Sequence, residues 1–155
     1  MMPSDDDRRA HAAAASPYHD PYGADPYRAE PYRHDPYHAD PYRAELAVRT
    51  RPAAAGAVVC ALAGDLDIET LAPAADTLTA LVAQRPGAVV IDLAGVGFCD
   101  SSGLNLLLRT RLAAGEEGVE LHLAAVPPTV MRVLELTGTR AVFSIHPSAE
   151  EALAV

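Results

Sequence analysis

Every leucine, isoleucine and valine of this 155-residue chain lies after residue 45. A hydrophobic core can therefore be built only from residues 46–155. The preceding segment is a five-residue repeat, reading PYGAD, PYRAE, PYRHD, PYHAD and PYRAE from Pro21 onward. All six tyrosines (Tyr18, Tyr22, Tyr27, Tyr32, Tyr37 and Tyr42) follow a proline. Without branched aliphatic side chains the segment cannot offset the entropy of ordering. Proline at every fifth position also blocks a continuous helix and favours extended, polyproline-like conformers. A period of five is too short for a stacking repeat unit of about 20–50 residues. Residues 1–45 are expected to be a disordered, low-complexity tail. Either it is a passive spacer, or its tyrosines and arginines make many weak stacking and cation–π contacts with a partner. His11, His19, His34 and His38 are irregularly spaced and have no cysteine near them, so they do not suggest a metal site.

The remaining length suits one domain. A net charge of −9 argues against direct nucleic-acid binding. No run approaches the roughly 18 apolar residues that would cross a membrane. The acidic, polar start Met1–Arg9 does not read as a secretory signal, so a cytoplasmic location is expected. Cys60 and Cys99 sit in apolar contexts and are expected to be buried and unpaired.

Strand-like and helix-like segments alternate through the domain. Glu45–Thr50 and Ala57–Ala63 read as a hairpin turning around Pro52–Gly56. Gly64-Asp65-Leu66-Asp67 reads as a loop. Thr70 is expected to cap a helix with Pro73 in its first turn and with Leu71, Ala75, Leu78, Leu81 and Val82 on one face. Val89–Leu93 is an apolar run interrupted only by Asp92, as suits a central strand. Val119–Ala125 is a further strand. Pro127-Pro128 opens a helix that ends at Gly138. Val142–Ile145 is a last short strand, and Pro147–Val155 a short helix. His122 alternates with Leu121 and Leu123 and is expected to face solvent; His146 is expected to be a boundary residue. Strands separated by single helices imply a mostly parallel sheet, hence an α/β fold.

The central strand leads directly into Phe98-Cys99-Asp100-Ser101-Ser102-Gly103-Leu104. Leu104, Leu107, Leu108 and Leu112 fall at helical spacing, which predicts an amphipathic helix over residues 102–114 stopped by Gly115. Asp100 or Ser101 would be its N-cap. The free N–H groups and dipole of a helix start also favour an added anion. A phosphate on Ser101 would add about −1.5 to −2 charge beside Asp100. Gly103, lacking a side chain, would let a partner approach. Read as an enzyme, Ser101 or Cys99 would need His122 or His146 as base. The Gly-x-Ser-x-Gly elbow is absent, however, because residue 99 is Cys. No Walker-type phosphate loop occurs, and neither a cofactor nor a metal is expected.

Asp100-Ser101-Ser102-Gly103-Leu104 resembles the phosphorylation-site signature of the STAS-domain anti-sigma factor antagonists. Gly64-Asp65-Leu66-Asp67 resembles the family's Gly-Glu-Leu-Asp loop. Val90–Val96 resembles the strand and turn leading into the serine, and Val133–Gly138 the late helix ending in Thr-Gly. The resemblance runs from about residue 46 to the end. Asp65 in place of Glu, and Cys99 in place of a larger aliphatic, are its departures. It implies the STAS fold: a mostly parallel sheet of four to five strands with about four helices over residues 46–155. It further implies a non-enzymatic switch protein. Its unphosphorylated form would bind an anti-sigma factor that is also a GHKL-type serine kinase, so releasing a sigma factor. Phosphorylation at Ser101 would end binding, and a PP2C-type phosphatase would restore it. Asp67, Asp100, Ser102, Gly103, Leu104 and Asn105 would form the partner-binding surface, with Leu104 and Asn105 on an exposed first turn. The rival reading is a STAS scaffold or docking subunit of a larger assembly, such as a stress-sensing complex or a lipid-transport ATPase.

Overall fold

The computed structural model describes residues 45–155; the repeat tail, up to Ala44, lies outside the described residues. Five strands form one sheet: β1 (Ala47–Pro52), β2 (Val58–Leu66), β3 (Ala88–Cys99), β4 (Glu120–Ala124) and β5 (Ser144–His146). Their order in the sheet is β1-β2-β3-β4-β5. The β1–β2 pair is antiparallel, as a short hairpin requires, and the other three pairings are parallel. The parallel crossovers carry α1 (Ala72–Ala83), α2 (Ser101–Glu116) and α3 (Pro128–Leu136), and α4 (Ala149–Leu153) closes the chain.

Side-chain alternation along the strands feeds two cores. Cys60, Leu62, Ile91, Leu93 and Leu123 pack with Leu78 of α1, Leu107 of α2 and Leu134 of α3. On the other side Val59, Val90 and Ala124 pack with Ala149 and Ala152 of α4. With both faces covered, Val89-Val90-Ile91 is buried without a break, which is the pattern of a parallel central strand.

The structure corrects several local expectations. Gly64-Asp65-Leu66 is strand, not loop, and β3 continues through Ala94-Gly95-Val96 to Cys99. The two strands stay paired because their register slips between Ala61 and Ala63 and again between Gly64 and Asp65. Thr70 does not cap α1, which begins at Ala72; its hydroxyl is instead spent inside the preceding turn. Helix α2 runs through Gly115 and ends before Gly118, whose φ of +71° suits a residue without a Cβ. Its buried line passes through Gly103, Leu107, Thr110 and Ala114, so Leu112 is left 62% exposed.

The last strand and helix are also displaced slightly, to Ser144–His146 and Ala149–Leu153, the latter capped by Ser148 Oγ accepting from Glu151 N–H at 3.1 Å. His122 does not face solvent: it is only 9% exposed, because β5 pairs alongside it and brings Ser144 and His146 against its ring.

The distribution of burial in α2 gives a direct check. Leu107→Ala is expected to cost about 2–5 kcal/mol of unfolding free energy by urea titration. Leu112→Ala is expected to stay within about 0.5 kcal/mol of wild type. Similar losses for the two variants would contradict the burial assigned here.

Candidate functional site

The site is the junction where β3 becomes α2. Asp100 is the last extended residue, with φ −100° and ψ −170°. Its backbone N–H donates to Leu66 O at 3.3 Å, tying the end of β3 to the end of β2. Its Oδ1 accepts from Ser102 N–H at 2.8 Å and from Gly103 N–H at 3.0 Å. Two of the free donors of α2 are thus already satisfied by a negative charge at the positive end of the helix dipole.

The side chains of the following turn divide between surface and interior. Ser101 is the first helical residue and is exposed; Ser102 is half-buried and Asn105 exposed. Leu104 is only 7% exposed, which corrects the expectation that it lies on an exposed turn: it points into the main core. Gly103 is buried as well, and the close approach it permits is internal. A Cβ there would collide with Leu66 O and stand 2.9 Å from both Leu66 Cγ and Cys99 Sγ.

Asp67 follows the end of β2 and is 5% exposed. Its Oδ1 accepts from Glu69 N–H at 2.9 Å, Thr70 N–H at 3.2 Å and the Thr70 hydroxyl at 3.2 Å. The Thr70 hydroxyl also lies 2.5 Å from Asp65 O. Asp67 therefore closes a turn and holds it beside Asp100. That turn displays Ile68, which is 68% exposed. Beyond it a groove of about 560 Å³ runs between α1 and α2, lined by Ile68, Leu71, Ser102, Asn105, Leu106 and Arg109 among others. Sequence reasoning missed Ile68 and Arg109. The available signals were an apolar residue at the tip of an acidic turn, and an arginine one helical turn after Asn105 on the same face of α2.

Burial raises the Cys99 thiol to about 11, with the nearby Asp100 charge adding to the shift, and burial alone raises Cys60 to about 11. Cys99 is thus a neutral packing group at neutral pH, not a thiolate nucleophile. His122 is opposite Val90 in the sheet, nine residues before Cys99 on β3, so the structure does not pair it with Ser101. Among the described residues no group of three or more His, Cys, Asp or Glu side chains is placed to hold a metal ion, and no helix is long and apolar enough to cross a membrane.

A family model described as "Mlab, STAS domain" matches residues 50–143. The chain belongs to the STAS domain family. It is 31% identical over 98 residues to the anti-sigma-F factor antagonist RsfB of Mycobacterium tuberculosis, an alignment spanning 63% of this chain and 80% of that protein. The crystal structure of an anti-sigma factor antagonist from Mycobacterium paratuberculosis is 32% identical, with a TM-score of 0.64 over 71% of this chain and 92% of that one. Unphosphorylated SpoIIAA, at 22% identity, shares the fold with a TM-score of 0.60 over 69% of this chain and 93% of its own.

The packing under Gly103 distinguishes a structural glycine from a permissive one. Helix propensity alone favours Gly103→Ala by about 1 kcal/mol. Because the obstructing atom is backbone, the variant is instead expected to lose about 1–3 kcal/mol in chemical denaturation, and Asp100→Ala about 1 kcal/mol through loss of the cap. A stabilised Gly103→Ala protein would contradict this geometry.

Proposed function

We propose that the chain is an anti-sigma factor antagonist whose binding is switched off by phosphorylation of Ser101. The observation that carries this reading is an exposed hydroxyl at the first position of α2, beside a cap that already occupies the amides of Ser102 and Gly103. A phosphate added there has no need to displace the cap. It places about −1.5 to −2 charge on the surface next to Asp100 and the mouth of the groove. A partner that must desolvate this surface then meets an uncompensated dianion. The names of the relatives support the partner class, an anti-sigma factor.

The partner is proposed to be a GHKL-type serine kinase that supplies ATP and Mg²⁺, with a PP2C-type phosphatase reversing the modification. Ser101, Ser102, Asn105 and Ile68 form the contact surface of this proposal. Asp67, Asp100, Gly103 and Leu104 hold that surface in place from below. The second reading, a scaffold or docking subunit of a larger assembly, is favoured by one observation: the matching family model carries the Mlab description. In that case the charge at Ser101 would leave partner affinity unchanged.

Incubation with a cognate anti-sigma kinase and Mg-ATP is expected to place phosphate on Ser101, read by mass spectrometry. Ser101→Ala is expected to bind the anti-sigma factor about as tightly as wild type, and Ser101→Glu at least about tenfold more weakly. Phosphate on Ser102 alone, or equal affinities of folded Ala and Glu variants, would overturn the switch.

A further inference from the structure

The parallel pairing of β4 and β5 gathers a second set of polar side chains, remote from Ser101. His122 pairs in register with Ser144, and Ala124 with His146. Residues two apart on a strand share a face, so Glu120 and His122 on β4 meet Ser144 and His146 on β5. His122 Nδ1 lies 3.0 Å from His146 Nε2 and 3.2 Å from Ser144 Oγ, and Ser144 Oγ lies 3.1 Å from His146 Nε2. Three donor atoms thus form a nearly equilateral triangle. The two imidazoles are edge-on, at 63° between planes, so their nitrogens converge without the rings stacking.

Two nitrogens on one zinc-sized ion, each at about 2.0–2.1 Å, stand about 3.0–3.4 Å apart. The observed separation lies at the lower end of that range. A second feature has the same meaning. The other ring nitrogen of His122, Nε2, faces Glu120 Oε1 at 3.4 Å. A metal-ligating histidine characteristically donates its remote N–H to a carboxylate, which fixes the tautomer and raises ligand basicity. A proton on Nε2, directed at Glu120, would leave His122 Nδ1 its lone pair for the triangle.

We infer that His122 Nδ1 and His146 Nε2, with Ser144 Oγ beside them, form a binding site for a borderline divalent transition-metal cation of the Zn²⁺ or Ni²⁺ class. Imidazole nitrogen suits these ions, and water completes their coordination. Ser144 is exposed and His146 half-buried, so the site opens to solvent for entry and for the remaining waters. Metal binding takes the tautomers that leave lone pairs on His122 Nδ1 and His146 Nε2, with each ring's proton on its other nitrogen. Val90, the residue opposite His122, is nine positions before Cys99, or on the order of 30 Å along an extended strand. The site is therefore independent of the proposed switch, and Ser101→Glu should leave it unchanged.

The test is titration of the full-length chain with Zn²⁺ near neutral pH, by calorimetry and thermal unfolding. The tail histidines are present in every variant and contribute a constant background. Zn²⁺ is expected to raise the Tm of the wild-type chain. His146→Gln, at a half-buried position where folding should survive, is expected to abolish that rise. Glu120→Gln is expected to weaken the site about tenfold. Nitrogen NMR of the rings, which needs no variant, is expected to show Zn²⁺-dependent shifts at His122 Nδ1 and His146 Nε2. A Tm that Zn²⁺ leaves unchanged, or identical binding by wild type and the His122→Gln/His146→Gln double variant, would overturn the proposal.

Discussion

The end of β2 and the start of α2 are held together at one point, and the geometry of the site depends on it. Leu66 O receives the Asp100 N–H, and the same carbonyl lies directly beneath Gly103. A side chain at residue 103 would push the first turn of α2 off the sheet. Leu104 would then leave the core, and the Asp100 carboxylate would lose the two amides it caps. The exposed position of Ser101 is a consequence: with residues 103 and 104 turned inward, helical geometry turns residues 101 and 105 outward.

The same anchoring separates the chemistry of the proposed switch from the stability of the fold. A helix start attracts anions through free N–H groups and the dipole. Here Asp100 already supplies the anion, and Asp67 performs the corresponding service for the adjoining turn. A phosphate on Ser101 would therefore be an addition to an occupied cap and would act through surface charge. The residues around it do different work. In the proposed switch Ser101, Asn105 and Ile68 present atoms to a partner, while Gly103, Leu104 and Asp67 keep those atoms in place.

Much of this was legible in the sequence because the signals were local. The aliphatic run at Val89–Leu93, a helix cap at Asp100 or Ser101 and the proline at the start of α3 each announce an element without tertiary information, and the structure settles the cap on Asp100. What escaped was set by contacts between distant segments. Gly64-Asp65 and Ala94-Gly95 look like turns, yet they lie in strands whose register slips, and Gly95 leaves room for Ala63, whose Cβ stands 2.7 Å from where a Gly95 Cβ would be. Leu104 looks like a surface residue of a first turn until Leu66 is known to pass beneath Gly103. His122 alternates as a solvent-facing residue should, but β5 and α4 cover that side of the sheet, and neither is implied by the spacing of β4 itself.

The central claim is that phosphate at Ser101 changes a surface and leaves the fold alone. Amide and methyl NMR spectra of the full-length protein, unmodified and phosphorylated at Ser101, test it most directly. Shifts are expected only at residues 67–69 and 99–106, with the Leu93, Leu107, Leu123 and Leu134 methyls unmoved and the amides of Ser102 and Gly103 still bonded to Asp100. Shifts spreading through those core methyls, or release of the two capped amides, would show that phosphorylation acts by remodelling the domain and would contradict the account.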